Sequence, residues 1–316
     1  MNFMRKTREI SRMISKKTNK TLAVITGPTA VGKTELSINI AGELDTSIVS
    51  ADARQFYREL KIGTAAPTQI QCAKVPHHFI GHLSIHDYYN VSLFEQQAMK
   101  VVNELFTTSD FVIVTGGSGL YIDTLCHGID ELPDPDPIVR KKVQQVYRRE
   151  GLPGLRQWLR EVDPGYYSEV DTANPKRMMR AIEVFLCTGT AFSVLRKKQY
   201  KKRPFQIRRV ILDRPRAELF SRINQRTGQM IDDGLIEECL DLYPYRHLNA
   251  LNTVGYKEIF SWLANERTLR DAVDKIRTNT RRYAKRQLTW FRRYEDATWF
   301  HPDEKEKIMD FIRRDS

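Results

Sequence analysis

Residues Gly27-Pro28-Thr29-Ala30-Val31-Gly32-Lys33-Thr34 carry the spacing G-x-x-x-x-G-K-[ST], directly after a short apolar run and at the start of a helical pattern. The glycines let successive backbone N–H groups curl around phosphate oxygens, and the helix opening there adds the partial positive charge of its N-terminus. Lys33 would neutralise an outer phosphate and the Thr34 hydroxyl would be a ligand for Mg²⁺. This pattern specifies a phosphate site without specifying the reaction. A nucleoside triphosphatase of this type needs a second apolar strand ending in an aspartate that helps to hold the metal. The best candidate strand, Phe111–Thr115, runs instead into Gly116-Gly117. The available carboxylate is Asp52, just past the strand that follows the phosphate-loop helix. It is poorly placed to carry phosphates there; it could accept a proton from a substrate, or simply cap a helix or turn.

These residues need a scaffold that gathers strand ends. Thr21–Thr26 (TLAVIT) and Phe111–Thr115 (FVIVT) are short unbroken apolar runs, as in strands buried on both faces of a parallel sheet, and Ser47–Ser50 (SIVS) is a third. Helical patterns lie between strands, with one from about Lys33 to Leu44, so an α/β fold is predicted, with its ligands beyond the carboxyl ends of the strands. Leu132-Pro133-Asp134-Pro135-Asp136-Pro137 cannot continue a helix or an inner strand and reads as a hinge. From Pro137 to about Tyr200 the pattern is helical and basic, with Asn174-Pro175 as cap and first-turn proline, and Lys201-Lys202-Arg203-Pro204 closes it. Phe205–Asp213 alternates as a strand returning to the sheet. We read 131–204 as a helical insertion in one core built from 21–130 and 205–316. The remaining elements are expected as helices over 216–233, 235–242, 256–264 and 269–293, a strand over 297–300 and a helix from 303.

At about 150 residues per domain, 316 residues suit two domains or one core with a large insertion. Apolar runs never approach the ~18 residues of a membrane span, so no bilayer crossing is expected. The 51 Lys and Arg exceed the 39 Asp and Glu by 12, which favours an anionic or polyanionic partner. Part of the excess is a stripe: Lys275, Arg277, Arg281, Arg282, Lys285, Arg286, Arg292 and Arg293 occur between 275 and 293 with no acid among them. A solvated helix face normally mixes signs, so the stripe reads as a track for backbone phosphates, with Tyr283, Trp290 and Phe291 interleaved as core or base-stacking residues. Cys72, Cys126, Cys187 and Cys239 lie far apart, which argues against a zinc module or disulfide framework and for reduced thiols in a cytoplasmic protein. Residues 1–20 are basic without an apolar stretch and are expected to be a flexible leader rather than a secretory signal. His77, His78, His82 and His86 suggest a metal set, but Pro76 and Gly81 spoil the helix that would align them, and a turn is expected instead.

Taken together the motifs resemble the tRNA isopentenyltransferase (tRNA dimethylallyltransferase) family. The matching stretches are GPTAVGKT at 27–34, SADARQFY at 50–57, KIGTAAP at 61–67, GGSGLY at 116–121, NPKRMMRAIEV at 174–184, VGYKEI at 254–259 and AKRQLTWFR at 284–292, in family order. The resemblance implies a P-loop nucleotide-kinase-like parallel sheet core with a helical insertion that moves over RNA. It implies transfer of a dimethylallyl group from dimethylallyl diphosphate to N6 of the adenine beside the anticodon, in the tRNA anticodon stem-loop, with Mg²⁺ as cofactor and a monomeric enzyme. By family position Asp52, Ser118, Lys33 and Arg222 are catalytic, Arg222 as a second diphosphate cation, and residues 27–34 bind diphosphate. The tRNA contacts implied are Asp52, Ala53, Arg54, Gln55, Ser118, Arg140, Lys176, Arg177, Arg180, Gly255, Tyr256, Lys257, Arg281, Arg282, Lys285, Arg286 and Gln287. Ser118 departs from the family's usual Thr but keeps the hydroxyl; Ala53 and Ala66 replace a common Ser and Lys. Two rival readings are a small-molecule or nucleoside kinase, which would not need the basic stripe, and an RNA-binding module without chemistry.

Overall fold

The computed structural model describes residues 20–134, 136–197 and 199–314; residues 1–19 of the expected leader, Pro135, Lys198, Asp315 and Ser316 lie outside the described residues. In chain order the elements are β1 (Thr21–Thr26), α1 (Lys33–Glu43), β2 (Ile48–Ser50), α2 (Gln69–Lys74), β3 (His77–His78), α3 (Val91–Leu105), β4 (Phe111–Gly116) and α4 (Gly119–His127). There follow α5 (Pro137–Val162), α6 (Pro164–Glu169), α7 (Pro175–Thr188), α8 (Phe192–Leu195), β5 (Gln206–Leu212), α9 (Arg216–Asp232) and α10 (Leu235–Leu242). The chain ends with α11 (Tyr256–Leu263), α12 (Leu269–Phe291), β6 (Ala297–Phe300) and α13 (Lys305–Arg313).

All six strands are parallel, in the order β3-β2-β4-β1-β5-β6. Strand β1 is central, registered Thr21↔Phe111 to Thr26↔Gly116 against β4 and Thr21↔Gln206 to Thr26↔Ile211 against β5. Its residues alternate between two apolar layers. Leu22 and Val24 join Val49, Val112, Val114, Phe94 and Phe291 on one face. Ala23 and Ile25 join Ile48, Ile113, Val210, Leu212, Ile40 and Ile308 on the other. Because both faces are covered, neither parity of the strand tolerates a polar residue, which is why TLAVIT and FVIVT are unbroken. A third layer around Leu60, Leu235, Cys239, Tyr256, Ile259 and Ile276 underlies the loop after β2. Each such fully buried large side chain contributes about 1.5–3 kcal/mol relative to exposure.

Elements also arise where a turn or nothing was expected, among them β3 and α3. His77-His78 is a two-residue edge strand paired with Ile48-Val49 of β2, and no group of three or more metal-ligating side chains occurs among the described residues. Helix α3 is amphipathic, buries Phe94, Ala98 and Val102, and is capped by the Asn90 side chain, which accepts from Leu93 N–H.

The described residues divide into two compact units, 20–126 with 202–314, and 127–201. The second has its own core of Val143, Leu155, Leu159, Met178, Ile182 and Phe192. Asp136 caps α5 by accepting from Ile138 and Val139 N–H, and Asn174 caps α7 by accepting from Arg177 N–H. The boundaries are three to four residues inside or outside the 131 and 204 read from the sequence. In the first unit Arg203 makes a buried ion pair with Glu95 at 2.7 Å and donates to the carbonyls of Leu125 and Thr124, anchoring the chain as it returns to β5. All four cysteines are free, and no helix among the described residues is long and apolar enough to cross a membrane.

Candidate active site

The register of the central strands brings three loops to one edge of the sheet. Thr26 lies opposite Gly116 and Ser50 opposite Thr115, so the loops beginning at Gly27, Ala51 and Gly117 start side by side. The phosphate loop takes positive φ at Gly27, Ala30 and Gly32, the curled backbone that an anion-binding nest requires, and α1 begins at Lys33. The Lys33 Nζ donates to the carbonyls of Gly27 (3.0 Å) and Pro28 (2.9 Å). Burial pushes the Lys33 ammonium down to about 8; the Asp52 carboxylate opposes this and Arg226 adds to it.

Asp52 follows β2 directly, and one of its carboxylate oxygens accepts from Arg54 N–H at 3.0 Å. The Ser118 hydroxyl accepts from Ala53 N–H at 3.0 Å, and Ser118 N–H donates to Ala51 O, so the loops after β2 and β4 are stitched together. Tyr283, from α12, shares a cavity wall with Ser118; burial, then the charge of Asp52, raises its hydroxyl pKa, keeping it neutral.

Two cavities meet at these groups. One, of about 440 Å³, is lined by Lys33, Thr34, Gln55, Arg222, Arg226 and Gln287 among others. The other, of about 400 Å³, is lined by Arg54, Ser118, Asn252, Lys257 and Arg286 among others. Thr29, Asp52, Thr64, Arg226 and Tyr283 border both. A phosphate-cradling pocket and a pocket with cationic walls thus share a wall containing the carboxylate. An arrangement of this kind can hold an anionic group on one side and take a proton from a nucleophile on the other.

Arg222 Nε donates to Ala30 O at 2.8 Å, so this exposed side chain braces the phosphate loop. Arg226, one turn further along α9, is the deeper cation. It contacts the Thr29 hydroxyl at 3.3 Å, and burial lowers its pKa against the opposing charge of Asp52. Sequence reading missed Arg226 and passed over Tyr283 as a polar group. Helical spacing held the signal: 222 and 226, like 283 and 287, are four apart and share a face.

The remaining sequence-nominated residues are divided. Arg54 donates to the carbonyls of Asn249 and Ala250, and Gln55 to those of Thr64 and Ala65. Gly255 has φ +99° and donates its N–H to Glu258, while Lys257 is exposed beside the second cavity. Two of the nominated residues have inward-turned side chains. The Tyr256 side chain is fully buried with its hydroxyl on Glu238 at 2.6 Å. Gln287 is 5% exposed, and both ends of its amide are engaged by backbone. The basic stripe also splits by helical phase: Tyr283 and Arg286 face the cavities, while Arg281, Arg282, Lys285 and Arg292 line a separate groove of about 1100 Å³ with Phe220 and Phe300. In the 127–201 unit Arg140 pairs with Glu183, Arg180 donates to Pro133 O, and Lys176 and Arg177 are exposed in the first turn of α7.

The Lys33 environment gives a signed expectation. Below about pH 8 the ammonium is charged and attracts a diphosphate; as pH rises through 8 the free protein loses that proton, whereas bound anion retains it. Affinity for a diphosphate should therefore be flat up to about pH 8 and then fall by up to about tenfold per pH unit. Calorimetric titration with inorganic pyrophosphate should show this decline, and Lys33→Met should abolish it.

A parallel sheet with a phosphate loop, a carboxylate at the next strand end and no aspartate ending β4 defines a P-loop α/β protein set up differently from the nucleoside triphosphatases. The model of the family described as IPP transferase matches residues 55–294. The chain is 48% identical to "tRNA dimethylallyltransferase 1" of Bacteroides thetaiotaomicron, covering 93% of this chain and 95% of that one. It is 50% identical to the protein of that name from Phocaeicola vulgatus, covering 92% and 97%. Among solved structures it resembles the full-length tRNA isopentenylpyrophosphate transferase of Bacillus halodurans, with a TM-score of 0.68, 33% identity and coverage of 93% and 94%. It also resembles a eukaryotic dimethylallyltransferase solved acting on tRNA, with a TM-score of 0.72, 26% identity and coverage of 86% and 70%. This chain belongs to the IPP transferase family.

Proposed function

We propose that the protein transfers a dimethylallyl group from dimethylallyl diphosphate to N6 of the adenine on the 3′ side of the anticodon in tRNA, in the cytoplasm, releasing diphosphate. The observation that carries this reading is the position of Asp52, on the wall shared by the phosphate pocket and the pocket with cationic walls. Adenine N6 is a weak nucleophile because its lone pair is delocalised into the ring. As N6 attacks the allylic carbon, the C–O bond to the diphosphate breaks, and Asp52 takes a proton from N6. The diphosphate leaves with the bonding electrons, and its growing charge meets Lys33, Arg226, Arg222 and the loop amides. Tyr283 and Ser118 hold the base in place beside the carboxylate. Taking the adenine out of the anticodon-loop stack costs a few kcal/mol, which the basic walls offset through phosphate contacts.

The donors suit Mg²⁺. The Thr34 hydroxyl is a hard oxygen donor lining the phosphate pocket, and Mg²⁺ characteristically takes one or two protein oxygens with the substrate phosphates. Bound there it would neutralise charge on the diphosphate.

Incubation with dimethylallyl diphosphate, Mg²⁺ and tRNA, followed by mass analysis of anticodon-loop adenosines, should detect the prenyl addition. Phosphoryl transfer from a nucleoside triphosphate with the prenyl donor intact would overturn the reading. The cationic side chains give a further expectation: replacing Lys285 and Arg286 together by Ala should weaken tRNA binding and make the slope of log affinity against log salt shallower by about one to two. An unchanged slope in filter-binding measurements would remove them from the RNA surface.

A further inference from the structure

Helix α12 presents three residues at 283, 287 and 290 to the turn that follows β4, and each meets a different residue of it. Tyr283 and Ser118 line the same cavity. Gln287 Nε2 donates to Gly117 O at 2.9 Å. The ring of Trp290 fills the space that a Cβ on Gly119 would need, and its Nε1 donates to Asp123 at 3.1 Å. At position 117 a Cβ would likewise meet the Gln287 amide nitrogen.

Gln287 differs from its two neighbours in also bonding the phosphate loop. Its Oε1 accepts from Thr29 N–H, in the phosphate loop, at 2.8 Å. The amide orientation is dictated by these partners, because a backbone N–H must donate to oxygen and a backbone carbonyl must accept from nitrogen. One buried side chain therefore ties the loop after β1 to the loop after β4, at the open edge where the sheet's own hydrogen bonds have ended.

We propose that Gln287 is a positioning residue that sets the separation between the phosphate cradle and the turn carrying Ser118, and hence between the leaving diphosphate and the attacking base. This rests on the transfer reaction proposed above. A displacement of about 1 Å between reacting groups can cost about 10²-fold in rate, and either loop can shift by that much if the strut is cut. The effect falls on kcat, since each loop keeps its own ligand contacts and loses only its register with the other.

The test uses the full chain with two substitutions. Gln287→Leu preserves volume and removes both bonds; kcat at saturating substrates should fall by about 10²-fold, with the KM for tRNA and the affinity for inorganic pyrophosphate changed by less than about threefold. Gln287→Glu can accept from Thr29 N–H, but when ionised it faces the Gly117 carbonyl with a second acceptor. Its kcat relative to the parent should recover by about tenfold as pH falls and the carboxyl regains a proton to donate. A purely architectural residue would lose melting temperature in both variants without that pH-dependent recovery. A Gln287→Leu enzyme with parental kcat, a loss confined to the KM for tRNA, or a Gln287→Glu profile parallel to the parent's would each overturn the proposal. Should Gln287→Leu fail to fold, the Gln287→Glu profile decides alone. A parent enzyme that leaves the prenyl donor intact would instead defeat the transferase reading, and is a distinct result.

Discussion

Asp52→Asn is expected to lower the single-turnover rate of prenyl transfer by about 10³-fold, within the range of general-base contributions, while tRNA and pyrophosphate binding stay within about threefold of the parent. The asparagine side chain keeps an oxygen that can accept from Arg54 N–H, as Asp52 does at 3.0 Å, so the loop retains its shape. What is lost is the ability to take a proton. The charge of Asp52 is felt by Lys33, Arg226 and Tyr283, and Asp52 lines one cavity with Lys33 and Arg226 and the other with Ser118 and Tyr283. Losing it should strengthen pyrophosphate binding slightly, since an anion is removed from beside two cations. Rapid-quench measurement of prenylated RNA checks the rate, and calorimetry checks the binding. A rate within about threefold of the parent, less than 1 kcal/mol of barrier, would show that N6 loses its proton elsewhere.

Much of this architecture was legible because the sequence writes it locally. A strand covered on both faces cannot hide a polar residue, so β1 and β4 stand out as runs. The phosphate loop combines a strand end, positive-φ positions and a helix start, each with its own residue preference. Side-chain direction on helices was less legible. The family resemblance assigns Tyr256 and Gln287 to RNA, but it matches residue types and is silent on phase. On α11 the phase buries Tyr256 against Glu238, and on α12 it turns Gln287 inward beside Arg286, which faces the cavity. Arg226 was hidden for a related reason. Among 51 Lys and Arg a single arginine carries no signal, and only its placement four residues after Arg222, over the same loop, distinguishes it. Helix α3 is less legible: its Asn90 cap and amphipathic face are present, but no glycine or proline marks its ends.

The second large effect is expected at a residue that no motif picks out. Glu238, on α10, accepts three successive backbone N–H groups, from Lys61 (3.0 Å), Ile62 (2.9 Å) and Gly63 (3.0 Å), and also the Tyr256 hydroxyl (2.6 Å). The proximity of that carboxylate, after burial, raises the Tyr256 hydroxyl pKa, so it remains a donor. These bonds fold the 61–66 segment into a tight loop, on which Gln55 then closes by donating to Thr64 and Ala65. Gly63, Thr64 and Ala65 in turn line the two cavities. Glu238→Ala leaves four donors without their acceptor, some of them buried, and should cost about 3 kcal/mol, seen as a melting temperature lower by roughly 5–10 °C. Glu238→Gln keeps one accepting oxygen and lets the Tyr256 hydroxyl rotate to accept from the new amide, leaving mainly one N–H unpaired. Its loss should be about half as large. Both variants should also raise the KM for tRNA, because the loop forms cavity wall and not merely scaffold. The ordering parent, Gln, Ala in melting temperature, accompanied by the same ordering in KM, is the signature of a carboxylate that shapes the site from behind. Equal melting temperatures in all three proteins would mean that the 61–66 loop is held by Gln55 and its own turns instead.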